Sequence, residues 1–203
     1  THCDLFFADA AILVEGVAES MLLPHFIRSK FPELYQRYIT ILGVNGRHAH
    51  RLSPLIEKLC LPTLVITDLD PAEKEGYHKS VVPKRGEGQI SGNYAIAKWL
   101  MKEKDIDKLV DYSEDKKEFS FASPYRFSIR LAYQTPVKVD FEGEEKEAIP
   151  GTFEDCLIYT NYDLFKKIKV TDSGNLVEQT HDLLNSNDTF EMIHEKIYKM
   201  LRA

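Results

Sequence analysis

The first part of the chain alternates short apolar runs with longer segments whose apolar residues recur at helical spacing. The runs "AAILVEG", "YITILGV" and "PTLVITDLD" are rich in β-branched residues, and each predicts a strand. Between them lie two predicted helices, residues 19–31 and the stretch "HRLSPLIEKLCL", where Ser53–Pro54 is a start signal. Pro24 favours a first turn or a kink in the first of these helices. This alternation predicts an α/β protein with a parallel sheet and right-handed crossovers.

The pattern changes after Asp70. Residues 71–93 are rich in glycine, proline and charge, and they predict a long loop of a kind that is often functional. The stretch "NYAIAKWLMKEKDIDKLV" predicts one amphipathic helix with Asn93 as its N-cap. Alternating apolar residues in "SPYRFSIRLAYQTPVKVDF" predict strands, and "TFEDCLIYTN" predicts a short helix capped by Thr152. The tail from Tyr162 is predicted to be mostly helical.

These changes divide the chain into three predicted segments. Residues 1–104 hold the first part of the sheet core, residues 105–150 form an inserted, strand-rich segment that returns to the core, and residues 151–203 hold the end of the core and the C-terminal helices. A chain of 203 residues has room for one domain with such an insertion. Thr1, in place of an initiating methionine, predicts that the chain is a piece of a longer protein.

Charge and cysteine content limit the possible binding partners and the cellular compartment. The net charge of −6 does not indicate non-specific nucleic-acid binding, although carboxylates that are filled with divalent cations lose much of their negative charge. Cys3, Cys60 and Cys156 are scattered without metal-ligand spacing, which argues against a disulfide framework and favours a reducing, cytoplasmic location. No apolar run approaches the length that crosses a bilayer, and the first residues lack the basic start of a signal peptide.

Acidic residues follow two of the three leading strands. The first strand ends at Glu15, with Glu19 one helical turn later, and the third ends at Asp68 and Asp70. Ligands of open parallel sheets bind at the carboxyl ends of the strands, so we expect these four carboxylates at one edge. They would repel one another and raise each other's pKa, which a divalent cation such as Mg²⁺ relieves. Such a cluster supports phosphoryl chemistry with two ions about 3.5–4 Å apart.

Each half of this cluster has a simpler interpretation when it is taken alone. Glu15 and Glu19 can be an acidic first turn that the helix dipole favours. Asp68 and Asp70 can be a turn after a buried strand. Their joint appearance at neighbouring strand ends favours a metal site.

The same residues carry a resemblance to a known family. "ILVEGVAE" followed by "LVITDLD" resembles the TOPRIM pattern of topoisomerases, primases and several nucleases. With "ITILGVNGRHAHRLSPLIEKLCLP", "AYQTPVKV" and "TFEDCLIYTN", the chain resembles the catalytic C-terminal region of the OLD (overcoming lysogenization defect) family endonucleases over roughly residues 4–165. The resemblance implies a TOPRIM (Rossmann-like) parallel sheet flanked by helices, with an inserted segment and a helical C-terminal part.

The resemblance implies a DNA endonuclease that uses two divalent ions, Mg²⁺ or Mn²⁺, and a role in phage defence. Glu15 and Glu19 match the family's first acidic motif, and Asp68 and Asp70 match its DxD. Glu154, in "TFED", matches a later metal-binding glutamate. By this match the five acids are the catalytic, metal-holding residues. The alternative for Glu154 is a capping-box acid at the start of its helix.

Several polar residues are weaker candidates. Ser91 and Asn93 lie in the loop where the family has polar residues near the metals, and Ser91 is a candidate metal ligand, although helix capping explains both equally well. Arg126 and Arg130 share a strand-like run and are candidate DNA contacts. The "HAH" motif lacks a matching cysteine or carboxylate pair and predicts a polar surface turn rather than a zinc site.

One family feature is missing. The family uses a late lysine ahead of a Phe–Ala dipeptide to stabilise transition-state charge, and neither Lys196 nor Lys199 matches that pattern. Full-length members also carry an N-terminal ABC-type ATPase with a dimerisation region. This chain has no "GKS/T" loop, so we expect no nucleotide site in it. The expected partners are DNA, the ATPase part and a second copy of the protein, with no membrane contact.

Two other functions compete with the nuclease. "LVITDLD" also resembles the strand and DxD of haloacid-dehalogenase phosphatases, but Glu15 and Glu19 have no role in that scheme. The absent lysine and the negative net charge leave open a third possibility, a non-catalytic regulatory module that binds metal structurally.

Overall fold

A computed structural model describes residues 2–44, 48–75, 79–122, 124–170 and 174–202. The strands are β1 (Ala10–Val14), β2 (Ile39–Gly43), β3 (Thr63–Ile66), β4 (Pro71–Ala72), β5 (Ile90–Ser91), β6 (Glu118–Phe121), β7 (Phe127–Ala132), β8 (Val137–Phe141) and β9 (Glu144–Ala148). The α-helices are α1 (Val17–Lys30), α2 (Pro32–Tyr35), α3 (Ser53–Leu59), α4 (Ile106–Asp111), α5 (Phe153–Thr160), α6 (Tyr162–Lys167), α7 (Leu176–Leu184) and α8 (Phe190–Leu201). Shorter turns of 3-10 helix cover His2–Phe6, Ala49–Leu52 and Glu114–Lys117, and Ala95–Trp99 is a π-helical turn.

The main sheet has five strands in the order β2-β1-β3-β7-β6. β1 is parallel to both β2 and β3, and β3 is parallel to β7, while β6 closes one edge as the antiparallel partner of β7. Val14 at the end of β1 pairs with Gly43 and Ile66 at the ends of its neighbours, so these carboxyl ends meet at one edge. This mostly parallel sheet, flanked by helices, confirms the predicted fold class.

The sheet is covered on both faces. Ile12 and Val14 pack with Ile27 of α1 on one face. The alternate residues of β1, β3 and β7 face a larger cluster, which contains Leu13, Val65, Ile129, Leu131, Ile56 of α3, Ile96 and Leu109 of α4. Central strands of a parallel sheet are buried on both sides, which explains why the strand runs are almost continuously apolar.

A second apolar cluster joins the β8–β9 hairpin to the C-terminal helices. Tyr159 of α5, Leu184 of α7 and Phe190 and Ile193 of α8 are its large buried members. The short helix predicted in "TFEDCLIYTN" is confirmed as α5, with Thr152 as its N-cap, and the helical tail is confirmed by α6, α7 and α8. The boundaries at 1–104, 105–150 and 151–203 stay predictions, and β6 and β7 of the middle segment lie within the main sheet.

The single helix predicted from Asn93 onward is wrong. The structure has the π-helical turn, then a break, and only then α4. Lys102 has a left-handed backbone with φ of 54°, and the Glu103 carboxylate accepts hydrogen bonds from the N–H groups of Lys104 and Asp105. Asp105 then caps α4, so local polar side chains compete with the helix at this point.

The first helix also differs from its prediction. α1 begins at Val17 and continues past Pro24, so the proline does not lie in the first turn. Among the described residues, none of the helices has both the length and the apolar character needed to cross a membrane.

Candidate metal centre at the carboxyl edge of the sheet

The site begins where β1 and β3 end side by side. Glu15 follows Val14, and Thr67 follows Ile66, the residue that pairs with Val14. The Thr67 hydroxyl donates a hydrogen bond to Oε1 of Glu15. The parallel register therefore places the first acid directly beside the start of the "TDLD" segment.

Asn93 links the two acidic strand ends. Its side chain is 0% exposed, and Nδ2 lies 2.6 Å from Glu15 Oε1, 2.8 Å from Thr67 Oγ1 and 3.3 Å from Asp70 Oδ2. Its Oδ1 accepts a hydrogen bond from the N–H of Ala95 at 2.9 Å. Asn93 thus binds the acids and also the backbone at the start of the π-helical turn, whose N-cap residue is Tyr94 and not the predicted Asn93.

Gln134 holds the first aspartate of the DxD. This glutamine follows the carboxyl end of β7, the neighbour of β3, and it is buried. Its Nε2 donates to Asp68 Oδ1 at 2.7 Å, and its Oε1 accepts from the N–H of Leu69 at 2.7 Å. One amide therefore fixes both the side chain and the adjacent backbone of the motif.

Asp70 has a different environment. β3 ends at Ile66, and Asp70 has a left-handed backbone with φ of 48°. The DxD segment therefore lies after the strand and does not continue it. Asp70 Oδ1 accepts a hydrogen bond from Arg202 at 3.1 Å. The Arg202 guanidinium also donates to the Tyr198 hydroxyl and lies 5.0 Å from the Tyr198 ring centroid. The C-terminal end of α8 thereby places a cation at the acidic edge.

Glu19 reaches the edge from the first turn of α1. It is only 3% exposed, and its carboxylate accepts a hydrogen bond from the N–H of Gly16, the N-cap residue. The simpler interpretation of Glu19, an acidic residue in the first turn of a helix, is therefore correct, and the same side chain also lies at the acidic edge. Glu154, in the first turn of α5, is close enough for its charge to raise the pKa of Glu19.

The capping-box alternative for Glu154 is wrong. Thr152 accepts a hydrogen bond from the N–H of Asp155, and the Asp155 carboxylate accepts from the N–H of Thr152 at 2.9 Å. Asp155 is therefore the capping acid, and the Glu154 side chain is exposed on the first turn beside Glu19.

Three of the carboxyl groups at this edge, those of Glu15, Glu19 and Asp68, are hard to ionise. Burial raises the pKa of Asp68 to about 8, and the charges of Glu15, Asp70 and Glu19 add to that shift. Burial also raises the pKa of Glu15 and of Glu19, against the hydrogen bonds that Thr67 and Asn93 give to Glu15. A nearby divalent cation would favour the charged forms of all of these groups.

The donor set fits a hard divalent ion in its chemistry. All the acids offer oxygen, the ligand that Mg²⁺ and Mn²⁺ prefer, and their repulsion is what a cation relieves. Among the described residues, no three His, Cys, Asp or Glu side chains form a group that could hold an ion. The carboxylates of Glu15, Asp68 and Asp70 are instead turned to protein donors, with which an ion would compete.

We expect the raised pKa of Asp68 to make the protein less stable as pH rises. In the native state the carboxyl holds its proton up to about pH 8, whereas the unfolded chain releases it near 3.8. The native state therefore binds more protons between these values, and its free energy of unfolding falls as pH increases through that window. In EDTA, the melting temperature of Asp68→Asn should exceed that of the wild type by more at pH 8 than at pH 5. An equal difference in melting temperature at both pH values would contradict the raised pKa of Asp68.

Gly16 is required by the close approach of Glu19. A Cβ at position 16 would lie 2.5 Å from Glu19 Oε2, and the flexible carboxylate would have to move. We expect Gly16→Ala to lower divalent-ion affinity about tenfold, as loss of a supporting contact does, with a stability loss of about 1 kcal/mol. Gly43→Ala is the matched control, because its Cβ would lie at an ordinary 3.5 Å from Ser20 Oγ. Calorimetric titration with Mn²⁺ measures both, and equal affinities would refute the role of Gly16.

The weaker candidates lie elsewhere or have other partners. Ser91 is buried, and its Oγ accepts from the N–H of Asn93 at 3.1 Å. Arg130 pairs with Glu114 at 2.9 Å, and Arg126 precedes β7 at the opposite end of the strand from Gln134. The structure does not bring either arginine to the acids, and their DNA contact stays a prediction, as does metal binding by Ser91.

Sequence reasoning missed three residues of this site. Thr67 and Gln134 follow the carboxyl ends of β3 and β7, so the same strand-end argument that found the acids could have found them. Arg202 had no such signal, because it reaches Asp70 across 132 positions of sequence from a C-terminal helix.

A mostly parallel sheet with a glutamate after β1 and a DxD after its neighbour β3, the central strand, defines a TOPRIM-type α/β domain. Residues 6–70, which contain both motifs, match the family model described as "Overcoming lysogenization defect protein-like, TOPRIM domain". The resemblance predicted from the sequence is therefore confirmed.

The chain is also similar to one curated protein along almost its whole length. It is 27% identical over 199 residues to Endonuclease GajA of Bacillus cereus (strain HuB5-5), a match that covers 97% of this chain and 26% of that protein. The chain thus spans about a quarter of the length of this relative. No solved structure gives a significant match.

Proposed function

We propose that this chain is the catalytic part of a metal-dependent DNA endonuclease. The observation that supports this most is the set of carboxylates from two neighbouring strand ends, the half-buried Glu15 and Asp68 and the buried Asp70, which Asn93 and Gln134 hold at one edge of a parallel sheet. Similarity to a protein named as an endonuclease supports the same reaction class.

In this proposal Glu15, Asp68 and Asp70 hold the ions together with Glu19 and Glu154, and Ser91 is a further candidate ligand. Two Mg²⁺ or Mn²⁺ ions, when bound, supply activation of the attacking water and stabilisation of the leaving oxygen in an in-line displacement at phosphorus. The role of the protein is to orient the ligands and to keep their charges close despite their repulsion.

Amide and hydroxyl groups do the orienting. Gln134 aligns Asp68, while Asn93 and Thr67 align Glu15. Outer partners of this kind fix the direction of a ligating carboxylate, and their loss usually costs ten- to a hundredfold in affinity or activity, on the order of 1–3 kcal/mol.

Arg202 takes the place in this proposal that a late lysine has in the family. One terminal nitrogen of its guanidinium donates a hydrogen bond to Asp70, and the other donates to the Tyr198 hydroxyl. The Arg202 side chain is 28% exposed. The remaining donors can bind a phosphoryl oxygen, because a guanidinium matches phosphate geometry. Lys196 and Lys199 are paired with Asp188 and Glu195, away from the acids.

The whole protein, in this proposal, is a cytoplasmic ATPase–nuclease that acts as a homodimer in phage defence. An N-terminal ABC-type ATPase would precede this catalytic region, and DNA is its substrate. The fraction of the relative that the chain covers, 26%, agrees with a part of a larger protein.

The phosphatase alternative is less well supported. It needs Asp68 as the nucleophile, but Gln134 donates a hydrogen bond to one oxygen of Asp68. It also gives no role to Glu15 and Glu19, which lie at the same edge. The non-catalytic module shares the metal site, and it differs only in turnover.

Cleavage of supercoiled plasmid distinguishes these functions. We expect nicked or linear product with Mg²⁺ or Mn²⁺ and none with EDTA. Turnover of a simple phosphomonoester without plasmid cleavage would establish the phosphatase. Calorimetric binding of Mn²⁺ without any turnover would establish the regulatory module, and absence of binding would exclude every metal-based function.

A further inference from the structure

An exposed aromatic and cationic surface adjoins the acidic edge. We define the Tyr94 ledge as the side chains of His50, Arg51, Tyr94 and Lys98. Tyr94 directly follows Asn93, so its backbone lies one residue from the amide that binds Glu15, and its side chain is 42% exposed. His50 and Arg51 lie on the 3-10 turn that comes after β2, whose carboxyl end is beside that of β1.

The ledge is built by contacts between two separate segments. The Lys98 ammonium lies over the Tyr94 ring at 4.2 Å from its centroid, which the helical spacing of the two residues allows. The His50 ring meets Tyr94 edge to face, with centroids 5.7 Å apart and an interplanar angle of 79°. The 3-10 turn and the π-helical turn are in contact, so the ledge is a joint surface of both.

The charges of the ledge are available to a partner. Lys98 and Arg51 are exposed, and neither has a carboxylate partner in the part of the chain that the structure describes. By contrast, the exposed cations of the β8–β9 hairpin, Lys138 and Lys146, are paired with Glu145 and Glu144. An ammonium held over an aromatic ring keeps its charge and loses part of its mobility.

We propose that the Tyr94 ledge binds the sugar-phosphate backbone of DNA next to the scissile bond. A chain with a net charge of −6 and an acidic centre needs local positive charge where a polyanion approaches. Lys98 and Arg51 supply it at the same edge as the acids, and Tyr94 positions Lys98. This inference rests on the proposed nuclease function and names the surface that receives its substrate.

The test measures binding of a short labelled DNA duplex by fluorescence anisotropy in Ca²⁺, over a series of salt concentrations. Lys98→Ala should weaken binding and lower the slope of log affinity against log salt by about one, the value expected for one lost phosphate contact. Tyr94→Ala should weaken binding in the same direction, and Tyr94→Phe should bind as the wild type does, because it keeps the ring face.

Lys58→Ala is the matched control. Lys58 is exposed near the C-terminal end of α3, away from the acidic edge, and its loss should leave both affinity and slope unchanged. In plasmid cleavage, Lys98→Ala should raise KM with little change in kcat, as loss of a substrate contact does.

If Lys98→Ala binds DNA with the affinity and salt slope of the wild type, the Tyr94 ledge does not bind DNA. An equal loss of affinity in Lys58→Ala would lead to the same conclusion. This failure is distinct from failure of the proposed function. A wild type that cleaves plasmid while Lys98→Ala behaves identically refutes only the ledge, whereas a wild type that cleaves no DNA refutes the function on which the ledge depends.

Discussion

Asp68→Asn should abolish metal-dependent DNA cleavage, by more than about a hundredfold, and at the same time stabilise the metal-free protein. A lost metal ligand costs more than the ten- to a hundredfold that a lost outer partner costs. The neutral amide keeps an oxygen that can accept the hydrogen bond from Gln134, and it removes a half-buried carboxyl group whose pKa is raised to about 8 by desolvation and, to a smaller extent, by the neighbouring acids. Function and stability should therefore change in opposite directions.

The same variant should lose the stabilisation that divalent ions give. An ion that binds only the native state contributes about 2.7 kcal/mol at a hundred times its dissociation constant. We expect Mn²⁺ to raise the melting temperature of the wild type and to leave that of Asp68→Asn nearly unchanged. Glu57→Gln, an equal change on the exposed face of α3, is the control. Cleavage by Asp68→Asn at more than half the wild-type rate would show that Asp68 is not a catalytic metal ligand.

Asn93→Leu should be the most damaging neutral substitution near the site. It removes the amide that binds Glu15, Thr67 and Asp70 and leaves the N–H of Ala95 without its acceptor. A buried hydrogen bond to a charged group contributes about 1.5–3 kcal/mol, and the neutral hydrogen bond from the N–H of Ala95 adds about 1 kcal/mol. We therefore expect a loss of about 3 kcal/mol in the free energy of unfolding, measured in urea with EDTA, and at least about a tenfold loss of cleavage.

Asn93→Asp separates the two roles of this side chain. The aspartate keeps the acceptor for the N–H of Ala95 but replaces the donor with a third negative charge beside Glu15 and Asp70. Its stability loss should shrink as pH falls and the carboxyl groups are protonated. Asn175→Asp is the control, because Asn175 caps α7 on the surface. A pH-independent stability loss at position 93 would show that the hydrogen bond from the N–H of Ala95 alone explains the role of Asn93.

The sequence predicted those parts of the molecule that local periodicity determines. The apolar runs of β1, β2, β3 and β7 are real strands. α3 starts at Ser53, with Pro54 in its first turn, and Thr152 caps α5. From parallel order alone, the carboxyl ends of β1 and β3 had to meet, which placed Glu15 near the DxD.

The partners of the acids could not be predicted in this way. Gln134 binds Asp68 across 66 positions of sequence, and Arg202 binds Asp70 across 132, so both contacts depend on tertiary packing. The break at Lys102 was also missed, because local hydrogen bonds of the Glu103 side chain overrode a helical pattern of apolar residues.

The proposed metal centre requires that Glu15, Asp68 and Asp70 bind divalent ions in common. Anomalous scattering from crystals grown with Mn²⁺ tests it most directly, since the signal identifies the ion and the map identifies its ligands. We expect Mn²⁺ at the carboxyl edge of the sheet, bound by oxygens of all three acids. Ions bound only elsewhere, or an edge at which Mn²⁺ never binds at saturating concentration, would contradict it.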